Sequence, residues 1–168
     1  MRRNILVFFG SPRKWGNCAK VLNILLKDFR GIFSFNIIDA YKKAAKPCDG
    51  CDICKKFGKC KYSDLDIAYS LLKFIPNVII ISPIYNLSFP APLKAIFDRF
   101  QLYFNLRAKD SIIKKKVILI LSCGRKMNKT HISVVVTQAY FIFKSINADI
   151  KKIIIIDNTD KIKAFDNN

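Results

Sequence analysis

The sequence predicts an α/β fold in which five parallel strands form one sheet, with helices on both faces. Short apolar runs alternate with segments of helical periodicity along the whole chain, which is the pattern of repeated strand–helix units. Four of the five runs are continuously apolar, as in strands that are covered on both faces. Because the chain has 168 residues and no internal repeat, we expect a single domain over residues 1–168.

The first half of the chain predicts two strands and two helices. The apolar run 5–9 is the first strand, and apolar residues at the spacing of one helix face over 21–29 give the first helix. The run 32–37 alternates apolar and polar residues, which predicts a half-exposed strand at a sheet edge. Helical spacing returns over 65–75, after a loop that is rich in cysteine.

The second half predicts three further strands and two further helices. The strands are the apolar runs 78–81, 117–121 and 153–156. The spacing of apolar residues predicts one continuous helix from Leu93 to Phe104 and another over 132–146. An edge position for the alternating strand, with the continuous strands inside, favours the order 2-1-3-4-5, whose switch point lies between strands one and three.

A turn over residues 10–18, Gly-Ser-Pro-Arg-Lys-Trp-Gly-Asn-Cys, joins the first strand to the first helix. Unpaired N–H groups at the helix start, the helix dipole and the nearby Arg13 and Lys14 favour an anion there, most naturally a phosphate. The alternative is a plain connection, because any strand-to-helix turn needs glycine and an N-cap such as Asn17.

Three loops are expected to meet at one crevice, because ligands of such sheets bind beyond the carboxyl ends of the strands at the switch point. They are residues 11–18, 82–88 and 122–124. The second loop, Ser-Pro-Ile-Tyr-Asn-Leu-Ser, can present backbone polar groups and one aromatic to a flat heteroaromatic ring. An ordinary rigid turn is the alternative, and for Tyr85 alone simple packing is favoured.

Composition limits the classes of protein that fit this chain. Hydrophobic residues make up 51% of it, which excludes a mainly disordered protein, and no apolar run is long enough to span a membrane. The short first apolar run is interrupted at Gly10 before a cleavable signal can form, so we expect a cytoplasmic protein. The net charge is +18, but the basic residues are scattered, so compositional drift or attraction of anionic partners is favoured over nucleic-acid binding.

Four of the six cysteines form the run Cys48-x-x-Cys51-x-x-Cys54-x5-Cys60. In a chain expected to be cytoplasmic, this density indicates metal or redox chemistry rather than structural disulfides. Four thiolates at this spacing can hold a [4Fe–4S] cluster. Zinc is the alternative metal, and free or bridged thiols are the alternative without metal.

Three motifs in order carry a resemblance to a known family. Gly-Ser-Pro-Arg-Lys-x-Gly-Asn begins at residue 10 and Pro-Cys-x-Gly-Cys-x-x-Cys-x-x-x-Gly-x-Cys at residue 47; Ser-Pro-Ile-Tyr, from residue 82, is followed by Leu93-Lys94-x-x-x-Asp98-Arg99. The chain is similar to the flavodoxin-like NAD(P)H-dependent FMN reductases, and in particular to their iron–sulfur flavoprotein branch. The motifs cover residues 10–99, and the strand pattern extends the resemblance to about residue 156.

The resemblance implies an FMN site in the crevice and NAD(P)H as co-substrate. The first loop would hold the FMN phosphate through Ser11, Arg13, Gly16, Asn17 and Cys18. The second loop would lie against the ribityl chain and the isoalloxazine through Pro83, Ile84, Tyr85, Asn86 and Ser88. The third would contact the far side of the ring through Ser122, Cys123 and Gly124, whereas Asp98 and Arg99 would be structural or at a subunit contact.

The chain departs from the family pattern at three positions. Cys18 replaces the usual Thr or Ser, which weakens one phosphate hydrogen bond because a thiol is a poor donor. Leu87 and Phe89 stand where small residues are common. A last covering helix after the fifth strand is expected to be short or missing.

The function implied is transfer of electrons from NAD(P)H or a reduced carrier through FMN to a quinone, a metal ion or another acceptor. No side-chain constellation for acid–base catalysis stands out, and none is needed when the flavin supplies the redox chemistry. A flavodoxin-like electron carrier without enzymatic activity is the alternative, disfavoured by the basic charge; a nucleic-acid or metal-binding module would rest on charge and cysteines alone. We expect a homo-oligomer, because residues 97–104 carry more apolar surface than one helix face can bury.

Overall fold

A computed structural model describes residues 3–105 and 112–161 of the chain. The five strands are β1 (Arg3–Phe9), β2 (Phe33–Asp39), β3 (Asn77–Pro83), β4 (Lys115–Ser122) and β5 (Ala148–Ile156). They form one parallel sheet in the order β2-β1-β3-β4-β5. This confirms the predicted fold class and strand order.

Seven helices connect the strands in the described part of the chain. They are α1 (Asn17–Phe29), α2 (Ala40–Lys43), α3 (Ile53–Phe57), α4 (Asp66–Phe74), α5 (Ala91–Asp98), α6 (Gln101–Asn105) and α7 (Lys129–Lys144). None of them is long and apolar enough to cross a membrane.

β1 shows why the central strands are continuously apolar. Leu6 and Phe8 pack in the core on one face of the sheet, whereas Ile5, Val7 and Phe9 pack in the core on the other. The Phe8 ring makes edge-on contacts with two rings from α5 and the turn after it, each with centroids 5.9 Å apart. Because both faces of β1 are covered, the strand and the loop that leaves its carboxyl end are held in fixed positions.

The expected single helix from Leu93 to Phe104 is wrong, because the helix breaks after Asp98. Arg99 and Phe100 form a turn between α5 and α6, in which the Phe100 N–H donates to the Phe97 carbonyl at 3.0 Å. This bond spans three residues instead of the four of an α-helix, and it ends α5. The Arg99 side chain then donates hydrogen bonds to the cysteine-rich loop. A periodic apolar pattern continues through such a break and therefore does not reveal it.

The reason given for an oligomer also fails. In residues 97–104 the apolar side chains Phe97, Phe100, Leu102 and Tyr103 are all buried within the single chain, and only Phe104 is exposed. The break lets the two short helices bury more apolar surface than one straight helix face would. An oligomer thus stays a prediction without this support.

β5 differs from the strand that its sequence predicts. It starts at Ala148, five residues earlier than the apolar run, and it lies at the sheet edge with Ile153 and Ile154 exposed by 37% and 39%. A continuous apolar run therefore does not mean burial on both faces here. The expectation that a covering helix after β5 is short or missing concerns the end of the chain, where residues 162–168 lie outside the described residues.

Candidate functional site

The first loop leaves the start of α1 open. Gly16, rather than Asn17, is the N-cap, and it provides no side-chain hydrogen bond. The first intrahelical bond runs from the Lys20 N–H to the Gly16 carbonyl at 3.0 Å, so the N–H groups of Asn17 and Cys18 have no intrahelical partner. Because no acidic residue lies in the first turn, this helix end favours an external anion.

The same loop is fixed against the sheet. The Gly10 N–H donates to the Ile81 carbonyl at 2.9 Å, and the Arg13 N–H donates to Ser11 Oγ at 3.3 Å. A Cβ on Gly10 would lie 2.5 Å from Leu93 Cδ2, so glycine permits the close approach of the loop to α5. The N–H groups of the helix end are therefore held in place before any ligand binds.

The second loop contains a strained turn. Tyr85 and Ser88 exchange backbone hydrogen bonds of 3.0 and 2.9 Å, and between them Asn86 and Leu87 have φ values of 49° and 56°. This is the left-handed backbone of a two-residue hairpin turn, which suits asparagine or glycine. A leucine there costs about 1–2 kcal/mol of conformational energy.

The third loop is covered by a segment that follows β5, residues 157–160, here called the clip. The Asp157 carboxylate accepts from the Met127 N–H at 2.7 Å, and the N–H groups of Thr159 and Asp160 donate to the carbonyls of Cys123 and Gly124 at 3.3 and 3.0 Å. A Cβ on Gly124 would collide with the Asp160 carboxylate. Glycine therefore lets this carboxylate lie directly against the loop.

Together the three loops and the clip line a cavity of about 830 Å³ at the switch point, within the usual range for cofactor sites. Twelve of the residues predicted for FMN line it: Ser11, Arg13, Gly16, Asn17, Cys18, Pro83, Ile84, Tyr85, Asn86, Ser122, Cys123 and Gly124. Ser88 does not line it, because its hydroxyl turns to α7 and donates to Gln138 Oε1 at 3.0 Å.

Sequence reasoning missed several lining residues, which are Trp15, Lys20, Leu87, Arg125, Lys126, Met127, His131, Thr159 and Asp160. Arg125 and Lys126 directly follow the predicted third loop, so extending that loop would have found them. Thr159 and Asp160 gave no signal, because nothing in the polar stretch after β5 shows that it folds back over the crevice.

The electrostatics of the cavity favour an anion. Its described wall carries four cationic side chains and one carboxylate: Arg13, Lys20, Arg125, Lys126 and Asp160. Cys18 adds no charge, because burial raises the pKa of its thiol to about 12 and outweighs the hydrogen bond to its own backbone. The phosphate would therefore meet a neutral thiol, in line with the weaker donor that the sequence predicts.

The cysteine loop, defined as residues 44–65, forms a second cavity of about 250 Å³ lined by Cys48, Cys51, Cys54 and Cys60. All four are free thiols. In the described ranges, no group of three or more Cys, His, Asp or Glu side chains is arranged so that it can hold a metal ion as it stands. Left-handed residues Gly50, Asp52 and Gly58 fold the loop around the short helix α3.

Arg99 holds this loop, in agreement with the structural role that the sequence predicts for it. Its Nη1 donates to the Lys46 carbonyl, and its Nη2 donates to the Tyr62 carbonyl and to Asp64 Oδ1, all at 2.9 Å. Asp64 also accepts from the Lys46 N–H at 2.8 Å. Both ends of the loop are therefore tied to the break between α5 and α6.

A parallel sheet of this order, with an anion-binding crevice at its switch point, defines the flavodoxin-like class. The chain matches the model of the NADPH-dependent FMN reductase family over residues 3–148, and it belongs to that family.

Relatives agree with this assignment. An iron–sulfur flavoprotein of Methanosarcina thermophila is 34% identical over 122 residues, which are 71% of this chain and 62% of the relative, so the match spans less than two thirds of that relative. Over this span the chain is similar to the iron–sulfur flavoproteins.

Solved structures share the fold. An NAD(P)H:quinone oxidoreductase from Methanothermobacter marburgensis has a TM-score of 0.68 and 14% identity, covering 94% of this chain and 83% of that one. An FMN-dependent NADH-azoreductase from Bacillus anthracis, in complex with FMN, has a TM-score of 0.63 and 14% identity, with coverages of 94% and 88%.

Proposed function

We propose that this protein is an FMN-dependent oxidoreductase that passes electrons from NAD(P)H or a reduced carrier to a quinone, a metal ion or another acceptor. The observation that carries the proposal is the open N-terminus of α1, which borders a large cavity with an excess of positive charge. Family membership supports the flavin and the nicotinamide donor. The name of the quinone oxidoreductase neighbour supports the class of acceptor.

The residues present fit FMN. The N–H groups of the first turn of α1, with Arg13 and Lys20, would hold the phosphate by charge-assisted hydrogen bonds. Tyr85, which directly precedes the strained turn, lines the same cavity and offers an aromatic ring against which a flat ring can pack. When bound, FMN supplies the redox chemistry, and the protein supplies orientation and charge.

We further propose that Cys48, Cys51, Cys54 and Cys60 hold a [4Fe–4S] cluster. Their four free thiols line one cavity, and the Asn105 side chain donates an N–H to Cys54 Sγ at 3.1 Å, a type of bond that tunes such clusters. The name of the Methanosarcina relative supports the same group. Zinc would use the same thiols, so the metal has to be identified by analysis.

A homo-oligomer is also proposed, on new grounds. α7 exposes three large apolar side chains, Val134, Tyr140 and Phe141, the last by 69%. Exposed apolar side chains grouped on one helix are typical of protein contacts. Sedimentation at micromolar concentration tests this proposal, and a monomer as the sole species would contradict it.

The function is tested on protein purified without oxygen. We expect flavin absorption bands with a broad brown shoulder from iron–sulfur, FMN as the extracted flavin, and oxidation of NADPH that depends on an added quinone. Protein that takes up no FMN on reconstitution would overturn the proposal. FMN binding without oxidation of either nicotinamide would instead favour a reduced protein as the electron donor.

A further inference from the structure

Arg99 is a buried cation at the base of the cysteine loop. It is 2% exposed, and its guanidinium carbon also lies 5.0 Å from the centroid of the Tyr62 ring. Its guanidinium donates hydrogen bonds to two backbone carbonyls and to the Asp64 carboxylate. A buried cation is costly unless its charge is compensated.

Arg99 lines the cavity that the four cysteines line, and among the described residues its buried Nε has no hydrogen-bond partner. Burial alone would lower the pKa of Arg99, but the hydrogen bond to Asp64 and the interactions with Tyr69 and Cys60 raise it. An arginine stays protonated in proteins, so a positive charge, paired on one side with Asp64, borders the cysteine cavity.

A second donor reaches the cavity from the same break in the helix. Asn105, at the end of α6, donates from Nδ2 to Cys54 Sγ at 3.1 Å. Gln101 Nε2 donates to Asn105 Oδ1 at 3.1 Å, which fixes the orientation of that amide. The turn after α5 thus brings a cation to the cavity, and the end of α6 brings an oriented amide to one of the thiols.

We propose that Arg99 is the positioning residue of the cysteine site, and that its buried charge stabilises the thiolates and raises the reduction potential of the cluster they hold. This inference rests on the cluster proposed above. Thiolates carry negative charge, and reduction adds more to the centre. A nearby buried cation favours both the thiolate form of the cysteines and the reduced form of the cluster, since charge and hydrogen bonds near the sulfurs set the potential of such clusters.

The test compares three variants after anaerobic reconstitution. Arg99→Gln removes the charge but keeps a side-chain donor, whereas Arg99→Lys keeps the charge but not all three hydrogen bonds. Lys55→Gln is the matched control, because Lys55 lines the same cavity but is 56% exposed and paired with Asp52. Iron and sulfide content, FMN affinity, thermal unfolding and the midpoint potential of the cluster are measured for each.

We expect Arg99→Gln either to lose its iron or to shift the reduction equilibrium at least tenfold toward the oxidised cluster, about 59 mV for one electron. FMN affinity should be unchanged, Arg99→Lys should restore the potential, and Lys55→Gln should shift it less. Wild-type iron content and potential in Arg99→Gln would overturn the inference. If that variant does not fold, a folded Arg99→Lys with a tenfold shift overturns it. If the unaltered protein binds no iron, the cluster proposal and this inference both fail.

Discussion

The FMN crevice and the cysteine loop are built in different ways. The crevice uses the backbone at the carboxyl ends of buried parallel strands, where a fixed loop holds the open end of α1. The cysteine loop lies outside the sheet and depends on side chains, above all on the three hydrogen bonds of Arg99. One site is thus set by topology, and the other by a long-range polar contact.

This difference determines how each site responds to change. A backbone anion site keeps its N–H groups when a side chain is replaced, so single substitutions should weaken ligand binding only in part. A loop whose shape depends on one buried arginine has no other donors to replace it, because removing the arginine leaves two backbone carbonyls unpaired. We therefore expect larger effects from single substitutions in the cysteine loop than in the crevice.

The largest effect is expected for Cys54→Ser. A cluster of this kind needs four protein ligands, so the variant should lose nearly all of about four iron atoms per chain. FMN binding should persist, since the phosphate loop belongs to a different segment. Metal analysis together with flavin fluorescence measures both.

Cys18→Ser is the matched control, because Cys18 lies in the crevice and outside the cysteine loop. It should retain its iron. Equal iron in Cys54→Ser and the unaltered protein would show that the two sites are not divided as described, and zinc in place of iron would change the metal but keep the site.

A smaller effect is expected for the double variant Arg13→Ala with Asn17→Ala. Loss of charge-assisted hydrogen bonds should weaken FMN binding by about 1–3 kcal/mol. The control, Asn23→Ala with Lys27→Ala, likewise removes one amide and one cation, but from the exposed side of α1 and away from its N-terminus. Titration with FMN compares the two pairs, and equal affinities would rule out the phosphate loop.

Thiol reactivity should separate the two regions in iron-free, reduced protein. The pKa of Cys18 is raised by burial from 9.0 to about 12, so its thiolate fraction near pH 8 should be about 1000-fold below that of an ordinary thiol. Iodoacetamide should label the exposed Cys48 and Cys51 first, as read by peptide mass spectrometry. Because the pKa of Cys18 is higher in the folded state, the protonated thiol contributes fully to the free energy of unfolding below about pH 9. This contribution is lost as the pH rises toward 12. Rapid labelling of Cys18 at pH 8 would contradict its burial.

The smallest effect is expected for Leu87→Gly. Glycine adopts the positive φ of this turn without steric cost, so the variant should be more stable by up to about 1 kcal/mol. Leu87→Ala shortens the side chain but keeps the strain, and it should not be stabilised. Chemical denaturation of both variants measures the difference. A destabilised glycine variant would mean that the leucine side chain contributes more than the backbone strain removes.

Most of the crevice could be predicted from the sequence because topology fixes it. Once the strand order is known, the loops at Ser11, Pro83 and Ser122 must meet at one edge of the sheet. Ser88 is the exception, because the sequence of a turn does not show which way a side chain points. Its hydroxyl donates to Gln138 instead of lining the crevice. Arg125 and Lys126 directly follow the third loop and lie at the same edge of the sheet, although the predicted site did not include them.

Features that depend on contacts between distant side chains could not be predicted in this way. The apolar spacing over 93–104 does not show that α5 ends before Arg99, or that the Arg99 side chain donates hydrogen bonds to the cysteine loop. Likewise, nothing near Asp157 in the sequence indicates its hydrogen bond to the Met127 N–H across 30 residues. Periodicity reports which face of an element is apolar, whereas these contacts depend on single polar atoms.

The open N-terminus of α1 is proposed to bind the FMN phosphate, and a comparison of FMN with riboflavin tests this claim. Riboflavin lacks the phosphate, so we expect it to bind at least about tenfold more weakly than FMN in a fluorescence titration. The Arg13 and Asn17 double variant should narrow that gap while leaving riboflavin affinity unchanged. Equal affinities for the two flavins in the unaltered protein would contradict the claim.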